Sequence, residues 1–316
     1  MKALVCDGTS AHVVDHPEPA AAPGTALVRV VRAGICNTDL ELVKGYMSFR
    51  GVLGHELVGS VVQGPPAWQG KRVVAEINFA CGHCDTCARG LGRHCPTRRV
   101  MGIQGADGAM AEICAVPVEN LHAVPDEISD DEAAFVEPLA AALGILEQVR
   151  IEVGDRCLVL GDGKLGLLVA LGLAQAGARV LAVGKHEAKL AILRARGVET
   201  VLLGEWKREP AGVVIEATGT PEGFALAASV TRPRGTLVLK STVGDLSAVH
   251  LAPLVIHEIT VVGSRCGSFP PAIAALAARR VDVEPLISAR LPLRDAERAL
   301  EIAAQPGILK VLLHPE

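Results

Sequence analysis

Cys36, His55 and Glu56 supply a thiolate, an imidazole and a carboxylate, and Glu137 supplies a second carboxylate shortly before a glycine-rich turn, Gly161-Asp162-Gly163-Lys164-Leu165-Gly166. A metal site followed by a dinucleotide site points to metal-assisted hydride transfer. The ion would hold and polarise a C–O group, and a nicotinamide would give or take the hydride. Taken singly, each group has a plainer account: a lone Cys is usually core, and a lone His is usually satisfied locally. Their neighbours add weight. Thr38 stands two residues after Cys36, where its hydroxyl could reach an oxygen on the ion. Asp39 could orient the imidazole of His55 from behind. Cys36 and His55 are too far apart for a local knuckle and can meet only through folding.

A second group is self-contained. Cys81, Cys84, Cys87 and Cys95 fall within fifteen residues. Two-residue spacers let neighbouring sulfurs converge on one ion, and four thiolates close a tetrahedral Zn²⁺ site with no open position, so this site reads as structural. Free thiols and an iron–sulfur cluster are the other readings. His83 and His94 read as solvent-facing spectators.

The glycine-rich turn follows a strand pattern, Arg156–Leu160, and opens an Ala/Leu-rich helix. In that context Gly161 makes the tight turn, Gly163 lets a pyrophosphate approach the backbone, and Gly166 lets helix and strand pack closely. Lys164 and Leu165 begin the helix, whose free N–H groups and dipole favour anions. The second strand ends at Gly184-Lys185-His186, without the acid that usually bonds the ribose hydroxyls. Gly184 leaves room, and Lys185 and His186 could face a 2′-phosphate, so NADP(H) is preferred and NAD(H) is the second choice. Glu216-Ala217-Thr218-Gly219 ends a later strand beside the expected cofactor cleft, and Ser241-Thr242-Val243 and Gly263-Ser264-Arg265-Cys266 end the next two.

The elements that must place these groups alternate in character. The first ~120 residues read as short strands and turns, for example Ala26–Val31 and Lys71–Glu76. Then Leu139–Val149 reads as a helix. Strands at Arg156–Leu160, Arg179–Val183, Thr200–Leu203, Val213–Ala217, Thr236–Lys240 and Thr260–Val262 follow, with helices at Lys164–Ala176, His186–Arg196 and Pro221–Val230. Such alternation predicts a doubly wound parallel sheet. Only about nine residues, Gly204–Gly212, join the third and fourth strands. The tail is mixed, with helices at Pro271–Arg279 and Leu293–Ala304 and a strand at Ile308–Leu313.

The chain has 316 residues, half of them hydrophobic, and a net charge of −4. That is enough for two cores, and it offers no basic surface for nucleic acid. No apolar stretch reaches the ~20 residues of a membrane span. Asp7 stands where a signal peptide's apolar segment would lie. Nine cysteines, four of them clustered, fit metal binding better than disulfides. These features together predict a cytoplasmic protein with a small-molecule substrate and no membrane partner.

In Gly34–Asp39, Gly51–Glu56, the four-cysteine lobe, Glu137-Pro138-Leu139-Ala140 and the glycine-rich turn, in that order, the chain resembles the zinc-dependent medium-chain dehydrogenase/reductase family, which includes alcohol, polyol and threonine dehydrogenases. The resemblance spans nearly the whole chain. It implies an α/β architecture: a mostly β GroES-like catalytic domain over 1–137, with its zinc lobe at 78–100, a Rossmann domain over 138–265, and a return to the catalytic domain over 266–316. It implies two Zn²⁺ per chain. Cys36 and His55 would ligate the catalytic one, with Glu137 next in order and Glu56 an alternating ligand, leaving a position open for substrate oxygen. Thr38 would start a proton relay. The family's outer His is replaced here by Glu41, so Glu41, the cofactor ribose and water are three routes out. Thr38, Tyr46–Phe49 and Cys266–Phe269 would line the substrate pocket, and Glu137 tilts the substrate toward polyols. A homodimer or homotetramer would form by pairing of the edge strand near Thr260. A zinc-independent reductase of activated double bonds and a non-catalytic zinc-binding regulator are the alternatives.

Overall fold

The computed structural model describes residues 1–241 and 249–315. The chain forms two compact units, one of Met1–Glu137 with Phe269–Glu316 and one of Pro138–Ser268.

The first unit is mostly β. Its hub is the eleven-residue strand Thr25–Ile35, whose Leu, Val and Ala residues bury most of its length. It pairs antiparallel with Glu56–Gln63 on one side, and with Ile113–Pro117 and Lys310–His314 on the other. The register decides where the chemistry falls: Gly34 lies opposite both Glu56 and Leu312. Cys36 therefore leaves the end of one strand beside the point where His55 enters the next, with Lys310 alongside. Phe135, Ile35, Leu42 and Leu53 are fully buried around this end. The strand Ile287–Pro292 pairs parallel with Lys310–His314. Its polar alternation hid it inside the mixed tail. Two small sheets complete the unit. One joins Lys2–Cys6, Ala11–Asp15 and Gly51–Val52. The other joins Asn78–Phe79, Arg99–Met101 and Gly105–Ala106, which flank the four-cysteine lobe.

The second unit carries a six-stranded parallel sheet. In spatial order its strands are Glu199–Leu202, Arg179–Gly184, Arg156–Leu160, Ala211–Glu216, Thr231–Leu239 and Thr260–Gly263. This is the doubly wound order whose direction reverses beside the first strand, the place where sheets of this kind bind their ligands. Helices Lys164–Gln175, Glu187–Arg194 and Pro221–Val230 connect the strands. No helix stands between the third and fourth strands; Leu203 and Trp206 pack into the core there instead. The helix expected over Leu139–Val149 is two, Val136–Leu143 and Ile145–Gln148. They meet at Gly144, where a Cβ would lie 2.7 Å from the carbonyl of Cys266, so a close backbone approach sets the break. Ser268 closes the unit, its N–H donating to Glu147 at 2.8 Å. Among the described residues, no helix is long and apolar enough to cross a membrane.

Candidate active site

The strand register gathers Cys36, His55 and Glu56 so that one ligand atom of each lies within 4.8 Å of the others. His55 and Glu56 are buried, and Cys36 is half-buried. The glycine at 34 permits this: a Cβ there would sit 2.0 Å from Glu56 Oε2. Asp39, wholly buried on the helix Asn37–Val43, accepts from the Cys36 N–H at 2.8 Å through Oδ2. Its Oδ1 faces His55 Nδ1 at 3.4 Å, an ion-pair distance, and neither atom has a hydrogen-bond partner among the described residues. An imidazole whose Nδ1 is directed to Asp39 keeps Nε2 for an ion.

Lys310 was not picked out in the sequence. Its Nζ donates to both oxygens of Glu56, at 2.6 Å for Oε1, and to the Ile35 carbonyl at 3.3 Å. Burial pushes the His55 pKa down, but Asp39 and Cys36 outweigh it and hold it well above the usual imidazole range. Burial likewise opposes the charge on Lys310, and Glu56, Cys36 and Asp39 raise its pKa in net. A sulfur, an imidazole nitrogen and a carboxylate that converge in a buried setting are a donor set that fits Zn²⁺. Glu137, half-buried in the first turn of Val136–Leu143, is not part of the convergence. Thr38 Oγ1 lies 3.8 Å from Cys36 Sγ. Glu41 is exposed and paired with Lys44 at 2.8 Å.

The four-cysteine lobe admits a sharper test. A tetrahedral ion with Zn–S bonds of about 2.3 Å sets sulfurs roughly 3.8 Å apart. The pairs Cys81–Cys87, Cys84–Cys87, Cys84–Cys95 and Cys81–Cys95 stand at 3.9, 3.5, 3.9 and 3.6 Å. In a 4Fe–4S cluster each thiolate takes its own iron, and in a 2Fe–2S cluster the four are split two to each iron; both spread the set of four sulfurs further than one ion does. The N–H groups of His83 and Cys84 lower the Cys81 pKa to about 6.

At the cofactor turn, Gly161 has φ +117°, and a Cβ at Gly166 would lie 2.1 Å from the Gly161 carbonyl, so both must be glycine. A Cβ at Gly163 meets nothing within 4 Å, and no side chain caps the helix that Lys164 and Leu165 begin. That open ground before a helix start fits a diphosphate. Beside Gly184 the structure differs from the expected opening. Asp162 fills it, taking the N–H groups of Lys185 and His186 at 2.7 and 2.6 Å. At the fourth strand end, buried Glu216 accepts from Thr218 N–H, Thr218 Oγ1 and Gly219 N–H at 2.6, 2.6 and 3.1 Å. Buried Lys240 donates to Ser264 Oγ at 3.2 Å and to the Arg265 carbonyl at 2.8 Å. Ser241 is half-buried, and Thr242 and Val243 lie outside the described residues. Lys310, Lys240 and Asp162 escaped the sequence reading, whereas Glu216 stands in a strand end that the sequence places beside the cofactor cleft. An apolar setting around a charged residue was the one signal available.

Residues 22–126 match the family model of the alcohol dehydrogenase GroES-like domain, and 165–280 match that of the zinc-binding dehydrogenases. L-threonine 3-dehydrogenase of Streptomyces avermitilis is 31% identical, the match covering 99% of both chains. D-arabitol-phosphate dehydrogenase of Enterococcus avium is 28% identical, over 95% of this chain and 92% of its own. A protein of Sinorhizobium meliloti 1021, solved bound to NADP, superposes with a TM-score of 0.91 at 27% identity over 99% of each chain.

Proposed function

From the premise that the chain belongs to the zinc-binding dehydrogenases with an alcohol dehydrogenase GroES-like domain, we propose that it interconverts an alcohol or polyol and its carbonyl compound with a nicotinamide cofactor. The observation that carries the reading is the convergence of Cys36, His55 and Glu56 within 4.8 Å in a largely buried setting. Cys36 and His55 would hold the catalytic Zn²⁺, with Glu56 or Glu137 supplying oxygen, and Cys81, Cys84, Cys87 and Cys95 would hold a structural one. When bound, the zinc supplies polarisation of the C–O group and the nicotinamide supplies hydride transfer.

The chain's own residues do the rest. Asp39 fixes the His55 ring through Nδ1 and the Cys36 backbone through Oδ2. The Thr38 hydroxyl, beside Cys36, takes the proton of the substrate hydroxyl and hands it on. Gly161, Gly163 and Gly166 clear the backbone for the diphosphate. Segments 1–137 and 266–316 would carry the metals and substrate contacts, and 138–265 the cofactor. Polyhydroxylated substrates are favoured, as the arabitol-phosphate relative acts on that class. Gly184, Lys185 and His186 favour NADP(H) by sequence and the Sinorhizobium relative was solved with it, whereas the contacts of Asp162 favour NAD(H).

A homodimer or homotetramer is supported by the exposed edge strand Thr260–Gly263, with Val255, Ile256 and Val261 exposed nearby. Nine cysteines, none of them in a disulfide among the described residues, fit a cytoplasmic, reducing setting. The test is nicotinamide absorbance with zinc-replete protein, both cofactors, and a panel of alcohols, polyols, aldoses and threonine. Turnover on a polyol that disappears on zinc removal and returns on its addition is the expected result. Full turnover in a folded, metal-free preparation would overturn it.

A further inference from the structure

We propose that Asp162, the residue between the first two glycines of the turn, is the cofactor-specificity residue and selects NAD(H) over NADP(H) by holding a carboxylate where a 2′-phosphate would bind. The inference rests on the reading of the second unit as a nicotinamide-dinucleotide domain.

In a sheet of this order the adenosine ribose lies at the end of the second strand, where an acid from that strand usually accepts the ribose hydroxyls. Here the strand ends in Gly184-Lys185-His186, with no acid. The structure brings a carboxylate from the turn instead. Asp162 Oδ2 accepts from the Lys185 N–H at 2.7 Å and the His186 N–H at 2.6 Å, and His186 Nδ1 stands 3.0 Å from Oδ2 and 3.1 Å from Oδ1. A Cβ at residue 184 would lie 2.5 Å from Oδ2, so Gly184 makes room for the aspartate. Asp162 is 8% exposed. Burial raises its pKa, but the bonds from His186 and Lys185 outweigh that and keep it below its usual value.

Two consequences follow for a cofactor. The donors that would grip a 2′-phosphate, the N–H groups of Lys185 and His186 and the imidazole, already serve an internal anion. A phosphate brought to them would meet that carboxylate, a repulsive contact that discriminates against the wrong ligand. Among the described residues Oδ1 has the His186 contact alone, and it keeps lone pairs for ribose hydroxyls. The same bonds also brace the turn against the helix Glu187–Arg194. A brace alone would affect both cofactors alike, whereas a selector changes their ratio.

The experiment is fluorescence titration of the zinc-replete protein with NADH and with NADPH, for wild type, Asp162→Asn and Asp162→Ala, with thermal midpoints recorded alongside. The wild type is expected to bind NADH at least about tenfold more tightly, and the variants to lose about tenfold of that ratio. Wild-type preference for NADPH overturns the proposal without any variant. An unchanged ratio in a variant that still binds cofactor overturns it as well. Binding of neither nucleotide by the wild type would overturn the dinucleotide reading, and the inference with it.

Discussion

Lys310 Nζ, on the last strand of the first unit, lies 2.6 Å from Glu56 Oε1, and the two side chains are 3% and 1% exposed. The ammonium also lies 5.8 Å from the Phe135 ring. Of the three convergent groups, Glu56 is the one held by a cation. It reaches an ion only by giving up a buried partner, which ranks it behind Cys36 and His55 as a ligand.

Lys310→Met should therefore destabilise strongly. It leaves the Glu56 carboxylate buried beside Asp39 and Cys36 without its ammonium partner, a cost of about 3–5 kcal/mol. Urea denaturation would read this as a lower midpoint. Adding Glu56→Gln should recover most of the loss, because the stranded charge is then gone. A single variant as stable as wild type would show that the pair does not hold this end of the sheet.

The two cysteine groups should separate cleanly in metal content. Cys81→Ser opens the closed lobe, so bound zinc should fall from two per chain to one, with a lower melting temperature. Cys36→Ser should also lose one zinc, yet keep its melting temperature close to wild type and lose turnover. Elemental analysis with calorimetry decides. Retention of both ions by Cys81→Ser would argue against the lobe as a zinc site.

A pH effect is expected from Asp131, which joins Arg32 at 2.7 Å and Arg290 at 2.5 Å and so ties the hub strand to Ile287–Pro292. Burial raises its pKa, but the two guanidinium groups outweigh it and hold it below its usual value. A depressed folded pKa means the stabilisation is complete above the unfolded value of about 3.9 and is lost as pH falls through the folded one. Asp131→Asn should cost roughly 1 kcal/mol at neutral pH and nothing at the acidic end. Denaturation midpoints of the two proteins from pH 7 to 2 should converge. Parallel curves would remove Asp131 from the acid transition.

What the sequence disclosed and what it hid divide along physical lines. The six parallel strands were readable because apolar runs, glycine turns and Ala/Leu helices are local signals. Cys36, His55 and the four cysteines stood out because their side chains have few other uses in such company. Lys310 and Asp162 stayed hidden because their roles come from strand register and from a turn folding back 22 residues later onto Gly184. Gly184 illustrates the error: an absent side chain reads as open space in one dimension, while in three dimensions Asp162 occupies it.

Thr38 offers the most direct view of the chemistry. Its Oγ1 lies 3.8 Å from Cys36 Sγ, and it belongs to the helix Asn37–Val43, whose Asp39 fixes both Cys36 and His55. A hydroxyl so placed can take a substrate proton without moving the ligands, and general acid–base help of this kind is worth about 10²-fold or more. Thr38→Val removes the hydroxyl and keeps the shape. Its kcat should fall by about that factor, with zinc content and NADH affinity unchanged, and Thr38→Ser should restore most of the rate. Glu41 should matter little, since its carboxylate is 57% exposed and already committed to Lys44. A Glu41→Gln rate close to wild type would leave ribose or water as the way out. A large loss there, with Thr38→Val nearly unaffected, would reverse the assignment and make Glu41 the entry point for the proton.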